Sequence, residues 1–351
     1  MIAQLQQFCR PVLTRAGLNR LPGQSAGWAL TAMLLVALSA MHDTAQAAEP
    51  SSSDGAVQLL YDIQQAARKQ DYAGVFMYQQ GEAIQSSRLV HVIDGTGERE
   101  RLEILDGQPR EYLRHNDDIQ CLIPERKTVL MEPRRGDRFP GLLLGNPTEL
   151  AQYYEIRVQD KLHRVADRQC RIIAINPRDS QRYGYRLCAD VDTNLLLRAQ
   201  TIDSEFGVVE QVSFTSIRLG DKVESNELQS RWNTRDWKVV QPRIDTIDLA
   251  AQGWRIPAPA GFVAVMQVAR SMGRSNVNQL VLSDGLAAIS VFIEPYDSQH
   301  QPMSGGSGRR GAINIYSTRI ADFWLTALGE VPAVTLEQLA TSTEYVPVSS
   351  K

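Results

Sequence analysis

Between residues 72 and 132, turn signals recur every 8 to 12 residues with no helical periodicity between them. Gly81, Asp94-Gly95, Asp106-Gly107, Asn116-Asp117 and Pro124-Glu125 separate β-rich runs at 75–79, 88–93, 100–105, 110–115, 119–123 and 128–132. Gly supplies positive φ, Asn and Asp tolerate it, and Pro cannot donate into a strand ladder, so each cluster ends a strand. Strands joined this closely, without crossover helices, form an antiparallel meander. Such a sheet must curl or be covered to bury its apolar face.

The same reading predicts strands at 170–175, 183–189, 195–202 and 208–217 and a short helix at 148–154. A longer helix is predicted after Asp54, a plausible N-cap, because Ala56, Leu59, Leu60, Ile63, Ala66 and Ala67 fall on one stripe. Residues 220–237 are dense in charged and polar side chains and lack a β-rich run, which predicts an interdomain linker. In residues 280–340, Asp284-Gly285 predicts a two-residue primed turn between apolar flanks, hence a buried hairpin. A Gly/Ser-rich loop, a strand from Ala312 to Ile320 and a closing helix at 335–340 follow. The predicted fold class is α+β, mostly antiparallel β: a large curved half-barrel sheet with a few helices, plus a smaller C-terminal mixed β domain. The predicted boundaries are a leader at 1–47, a first domain at 48–218, a linker at 219–240, a second domain at 241–340 and a disordered tail at 341–351.

Arg10, Arg15 and Arg20 precede a 14-residue apolar run from Trp28 to Met41, and Ala45-Gln-Ala47 offers a small-residue cleavage site. This is the pattern of a secretory signal cleaved near Ala47, and the run falls short of the roughly 20 residues a spanning helix needs. The expected product is a soluble secreted chain of 304 residues with a formal charge of about −5, since the leader removes three Arg and one Asp. That charge argues against nucleic acid as a partner. Cys121, Cys170 and Cys188 remain after cleavage. A hairpin looping through Pro177-Arg-Asp-Ser-Gln181 would set Cys170 and Cys188 opposite one another, so a cross-strand disulfide and a pair of buried thiols both stay open.

Motifs with chemical meaning fail on context. Gly23-Gln-Ser25-Ala-Gly27 has the nucleophile-elbow spacing but lies in the leader. Gly306-Ser-Gly308-Arg-Arg-Gly311 has dinucleotide-loop spacing but precedes a strand, so no helix N-terminus is available for a pyrophosphate, and a flexible loop is expected. Asp190-Val-Asp192-Thr-Asn194 starts like a calcium loop, yet Leu195 stands where glycine is required, which leaves a turn. His91, His115, His163 and His300 are scattered without partners at metal-ligand spacing. The expectation is a binding protein, not an enzyme, with no cofactor and no metal. Two segments suit binding. Arg134, Arg135 and Arg138 beside Phe139, Leu142, Leu143 and Leu144 would suit an anionic lipid, against the alternative of a basic turn entering a core helix. Arg309 and Arg310 could pair with an acidic partner peptide, against the alternative of a solvated loop end.

Leu280-Val-Leu-Ser-Asp-Gly-Leu-Ala-Ala-Ile-Ser-Val-Phe-Ile-Glu-Pro295, Arg309-Arg-Gly-Ala-Ile-Asn-Ile-Tyr316 and Leu328-Gly-Glu-Val-Pro332 resemble the C-terminal domain of the MucB/RseB family. Tyr72-Ala-Gly-Val-Phe-Met-Tyr78, Val90-His91, Arg101-Leu-Glu-Ile-Leu-Asp-Gly107 and Arg182-Tyr-Gly-Tyr-Arg-Leu187 resemble its N-terminal domain. The resemblance implies a first domain similar to the half-open barrel of the lipoprotein carriers LolA and LolB. It also implies a periplasmic negative regulator of the sigma-E envelope stress response. Such a protein binds the periplasmic part of an anti-sigma factor (RseA or MucA), shields it from regulated proteolysis, and is released by lipopolysaccharide or another anionic lipid. A homo-oligomer is kept open as a further assembly. The rival readings are a periplasmic lipid or lipoprotein carrier and an unrecognised hydrolase.

Overall fold

Helix α1 (Ser53–Lys69) turns Ala56, Leu60, Ile63 and Ala67 into the main core, as its apolar stripe requires. The helix already includes Ser53, so Asp54 lies inside it and is not its cap. The computed structural model describes residues 53–133, 146–272, 275–299, 301 and 305–347. Among them are two further α-helices, α2 (Pro147–Tyr153) and α3 (Ala333–Thr341). Asn146 caps α2 by accepting from the Thr148 N–H, with Pro147 in the first turn where a missing donor costs nothing.

The predicted meander is present as β1 (Tyr72–Gln80), β2 (Ala83–Asp94), β3 (Gly97–Ile104), β4 (Arg110–His115), β5 (Asp118–Ile123) and β6 (Thr128–Pro133), each antiparallel to the next. A second meander runs through β7 (Tyr154–Val165), β8 (Arg168–Pro177), β9 (Gly184–Asp190), β10 (Leu196–Asp203) and β11 (Gly207–Leu219). Strand β11 returns beside β1, with Tyr72 opposite Leu219, and fuses the two into one sheet. One face of that sheet, from Ile123 on β5 to Ile156 on β7, closes on a single core that includes α1.

Residues 219–240 depart from the linker expectation, because they pack on the other face of this sheet. Leu228 covers Ala73, Val90 and Val92. The Glu103 carboxylate takes Arg88 (2.8 Å), Arg101 (3.1 Å) and Arg231 (3.0 Å), and Glu111 takes Arg101 (2.7 Å) and the Ser230 hydroxyl (2.5 Å). The segment ends in β12 (Lys238–Val240), which adds parallel to β6 as the twelfth strand among the described residues. Its polar composition therefore serves buried carboxylates of the sheet more than solvent.

A second sheet has the order β13 (Ile244–Thr246), β15 (Val263–Met272), β16 (Ser275–Ser283), β17 (Ala288–Pro295), β20 (Phe323–Gly329), β19 (Ile313–Ile320), β18 (Gly306–Arg310). Leu336 and Leu339 of α3 pack against its buried residues Ile289, Val291, Leu325 and Ala327. A two-strand ribbon, β14 (Trp254–Arg255) with β21 (Glu344–Tyr345), closes one side, with the Trp254 and Tyr345 rings 4.8 Å apart. Three expectations change here. The 341–351 tail is ordered at least through the strand holding Tyr345, because that ring has an aromatic berth. Gly306–Arg310 is an edge strand and not a flexible loop, with the turn displaced to Gly311. The Asp284 turn spans four residues between Ser283 and Ala288, because the Asp284 carboxylate accepts the Leu286 and Ala287 N–H groups and holds a wider loop.

Candidate functional site

The turn that joins β16 to β17 leaves its own sheet and enters the first one. Leu286 is 5% exposed and belongs to the core of the first sheet, with Tyr154 and Tyr185. Beside it, Asp284 Oδ2 accepts from the Tyr154 hydroxyl (2.7 Å) and from Arg182 Nη1 (2.9 Å). The Arg182 side chain is fully buried and that of Asp284 is 1% exposed. Arg182 also donates from Nε to Asp179 (3.1 Å) and from Nη2 to the Ala260 carbonyl (2.5 Å). Its guanidinium lies 4.8 Å from the Tyr153 ring centroid, 5.5 Å from Tyr154 and 5.2 Å from Phe262, within cation–π range of all three.

Local sequence explains the placement. Arg182 lies near the end of the β8–β9 loop, Tyr153 and Tyr154 stand where α2 passes into β7, and Gly261 permits the approach of the second domain. Gly261 has φ +79°, and a Cβ there would lie 2.6 Å from the Tyr153 ring. Burial and the nearby Tyr185 and Asp284 push the Tyr154 phenol well above its ordinary value, so it remains a donor. Burial works against the Arg182 charge, but Asp284 and Tyr154 reverse the balance and hold it above its ordinary value. The result is a buried permanent cation walled by aromatic rings and met by a carboxylate. Tyr185 is 7% exposed, and its hydroxyl has no hydrogen-bond partner among the described residues.

Other contacts cross the same junction. Asn314 Nδ2 donates to the Tyr183 hydroxyl (2.8 Å) and to the Val331 carbonyl (2.7 Å), and the Thr335 hydroxyl donates to the Gln181 carbonyl (2.8 Å). Arg309 reaches Asp203 at 3.4 Å and stacks 4.6 Å from the Phe206 ring centroid. That arginine is turned toward the first sheet, not presented at a free corner, whereas Arg310 is exposed at the end of β18. The junction was not foreseen from sequence: Arg182 and Asp284 stand 102 residues apart, and no local pattern links them.

The remaining candidates fall in several places. Arg134, Arg135, Arg138, Phe139, Leu142 and Leu143 lie outside the described residues, as do the leader and His300. Cys170 and Cys188 are joined in a disulfide, Cα–Cα 5.4 Å. The two are diagonal and not directly opposite, since Cys170 faces Asp190 and Cys188 faces Ile172. His91 is buried, stacked 4.6 Å from Tyr72 and bonded through Nδ1 to the Gln70 carbonyl (2.9 Å). His115 Nε2 meets the Thr96 carbonyl at 3.2 Å, and His163 lies on β7 opposite Cys170. Asp190 closes its turn by accepting from the Asp192 and Thr193 N–H groups. Among the described residues no group of three or more His, Cys, Asp and Glu is placed to hold a metal ion, and no helix is long and apolar enough to cross a membrane.

Comparison with known proteins agrees with this geometry along the chain. Residues 55–232 match the model of the MucB/RseB N-terminal domain, and residues 248–344 match that of the MucB/RseB C-terminal domain. The sigma factor AlgU regulatory protein MucB of Pseudomonas aeruginosa is 30% identical over 297 residues, 80% of this chain and 88% of its own. The sigma-E factor regulatory protein RseB of Salmonella typhimurium is 27% identical over 320 residues, 90% of this chain and 97% of its own. The crystal structure of MucB in complex with MucA(peri) superposes with a TM-score of 0.66 at 27% identity, covering 84% of this chain and 100% of that one. The Pseudomonas aeruginosa MucA/MucB complex gives a TM-score of 0.68 at 26% identity, with 84% and 100% covered. With both domain models matched in order across the two sheets, the chain belongs to the MucB/RseB family.

Proposed function

We propose that this protein is a periplasmic negative regulator of the sigma-E envelope stress response. It binds the periplasmic part of a RseA/MucA-like anti-sigma factor, shields that segment from regulated proteolysis, and lets go when lipopolysaccharide or another anionic lipid binds. The observation that carries the reading is the match, across both sheets, to a MucB chain solved in complex with MucA(peri). The leader pattern before Ala47 supports the compartment. The junction supports the regulation, because a buried cation held by the protein's own carboxylate is a place where an anionic signal can compete.

A carrier of lipid or lipoprotein is the second reading, favoured by the apolar face of the large sheet. Leu286 from the second domain fills part of that face, an arrangement that suits regulation better than transport. Affinity capture with the periplasmic segment of the cognate anti-sigma factor decides between them. Stoichiometric recovery that falls on adding lipopolysaccharide supports the regulator, and lipid recovered without any anti-sigma binding supports the carrier.

A further inference from the structure

We infer that the turn Asp284–Ala287 is a displaceable internal ligand, and that Arg182 with its aromatic walls is a binding site for an acidic amphiphile, a molecule with one carboxylate or phosphate head and one alkyl chain. The turn has that chemistry itself. Asp284 sets a carboxylate on Arg182 and Tyr154, and two residues later Leu286 places an apolar side chain in the core of the first sheet.

The site stays built when the turn is taken away. Asp179 holds Arg182 Nε and the Ala260 carbonyl holds Nη2, so Nη1 is the donor that Asp284 gives up when the turn leaves. The turn also fills the site incompletely. Asp284 Oδ1 is committed to its own backbone, accepting from Leu286 N–H (3.0 Å) and Ala287 N–H (2.8 Å), so only Oδ2 faces the first domain. Oδ2 already takes two donors, while the Tyr185 hydroxyl, close enough to feel the Asp284 charge, is buried with no hydrogen-bond partner among the described residues. A free carboxylate or phosphate has both oxygens to give, and can take Arg182, Tyr154 and Tyr185 together. A bare anion competes poorly with a tethered Asp284, which is held at high effective concentration. An alkyl chain that replaces Leu286 tips the exchange, because it restores the apolar contact and extends it.

Displacing the turn removes Leu286, the one second-domain side chain among the described buried residues of the first core, and the Arg182–Asp284 ion pair with it. Ligand binding thereby trades away one of the contacts that join the two domains, while Ala260, Asn314, Thr335 and Arg309 keep theirs. This inference rests on the reading of an amphiphile as the releasing signal, and names where it binds.

The test titrates the full secreted chain with myristate, myristyl alcohol or inorganic phosphate, each below any micelle threshold, and follows affinity by calorimetry and amide exchange at residues 284–287. Myristate is expected to bind and to speed that exchange, with the alcohol and phosphate each at least tenfold weaker. Leu286→Ala and Asp284→Asn should each bind myristate about tenfold tighter, since a larger fraction of the protein is then open to ligand. Tyr185→Phe should lose affinity for myristate and not for the alcohol. Equal binding of the acid and the alcohol overturns the inference, and so does unchanged or weaker myristate binding in folded Leu286→Ala. Anti-sigma binding measured without myristate separates the two readings: fragment bound with no myristate site sinks this inference alone, and a myristate site with no fragment binding sinks the regulator alone.

Discussion

Arg182 is a fully buried cation whose charge is met by Asp284 from the other domain. Desolvating two ions costs about as much as their attraction returns, so the pair adds little net stability, yet removing one partner strands the other at a cost of about 3–5 kcal/mol. Arg182→Met is therefore expected to lower unfolding free energy by about that amount, and Arg182→Met with Asp284→Leu by clearly less. Denaturant unfolding of the two single variants and the double variant measures this, and strictly additive losses would contradict it. Asp190 carries a different dependence. Burial would raise its pKa, but Arg168 (2.5 Å) and Thr193 donate to it and hold it below its ordinary 3.8. A depressed folded value means the added stability is complete above the ordinary value and is lost as pH falls through the folded one. Acid unfolding below about pH 4 should accordingly be shallower in Arg168→Met than in the unaltered chain. Sequence reading reached Asp190 and Asp284 as turn residues, because an Asx turn is local. It missed what Asp284 and Arg182 do to each other, because that contact is set by how two sheets meet.

At the scale of elements, turn chemistry located the first meander well: five punctuated gaps correspond to the five connections from β1 to β6. Strand β7 left no such signal. Its middle, Arg157-Val-Gln-Asp-Lys161, is charged and exposed because β7 is an edge strand, and edge strands carry charge that reads as loop. Strand β12 was hidden in the same way inside an apparent linker. The Cys170–Cys188 bridge ties β8 to β9 in the core across 18 residues of chain. Closing a loop of that size stabilises by about 3 kcal/mol. The double variant Cys170→Ala, Cys188→Ala should lose about this much in denaturant unfolding.

Among the described residues, the molecule joins a mostly antiparallel sheet of twelve strands to one of seven, with a turn of the second inserted into the core of the first. The basic-apolar segment around Arg134, Arg135, Arg138 and Phe139 enters this picture from sequence alone. Reversing the charge of the three arginines is expected to weaken an anionic amphiphile more than an anti-sigma fragment, and equal losses in parallel titrations would argue against separate surfaces. The proposed role turns on protection of the anti-sigma factor. Its most direct test is the cleavage rate of the anti-sigma periplasmic segment by its regulatory protease, with one equivalent of this protein present or absent, before and after lipopolysaccharide is added. Slow cleavage is expected with the protein present, with recovery of the full rate once lipopolysaccharide is added. Cleavage at the same rate with and without the protein would contradict it.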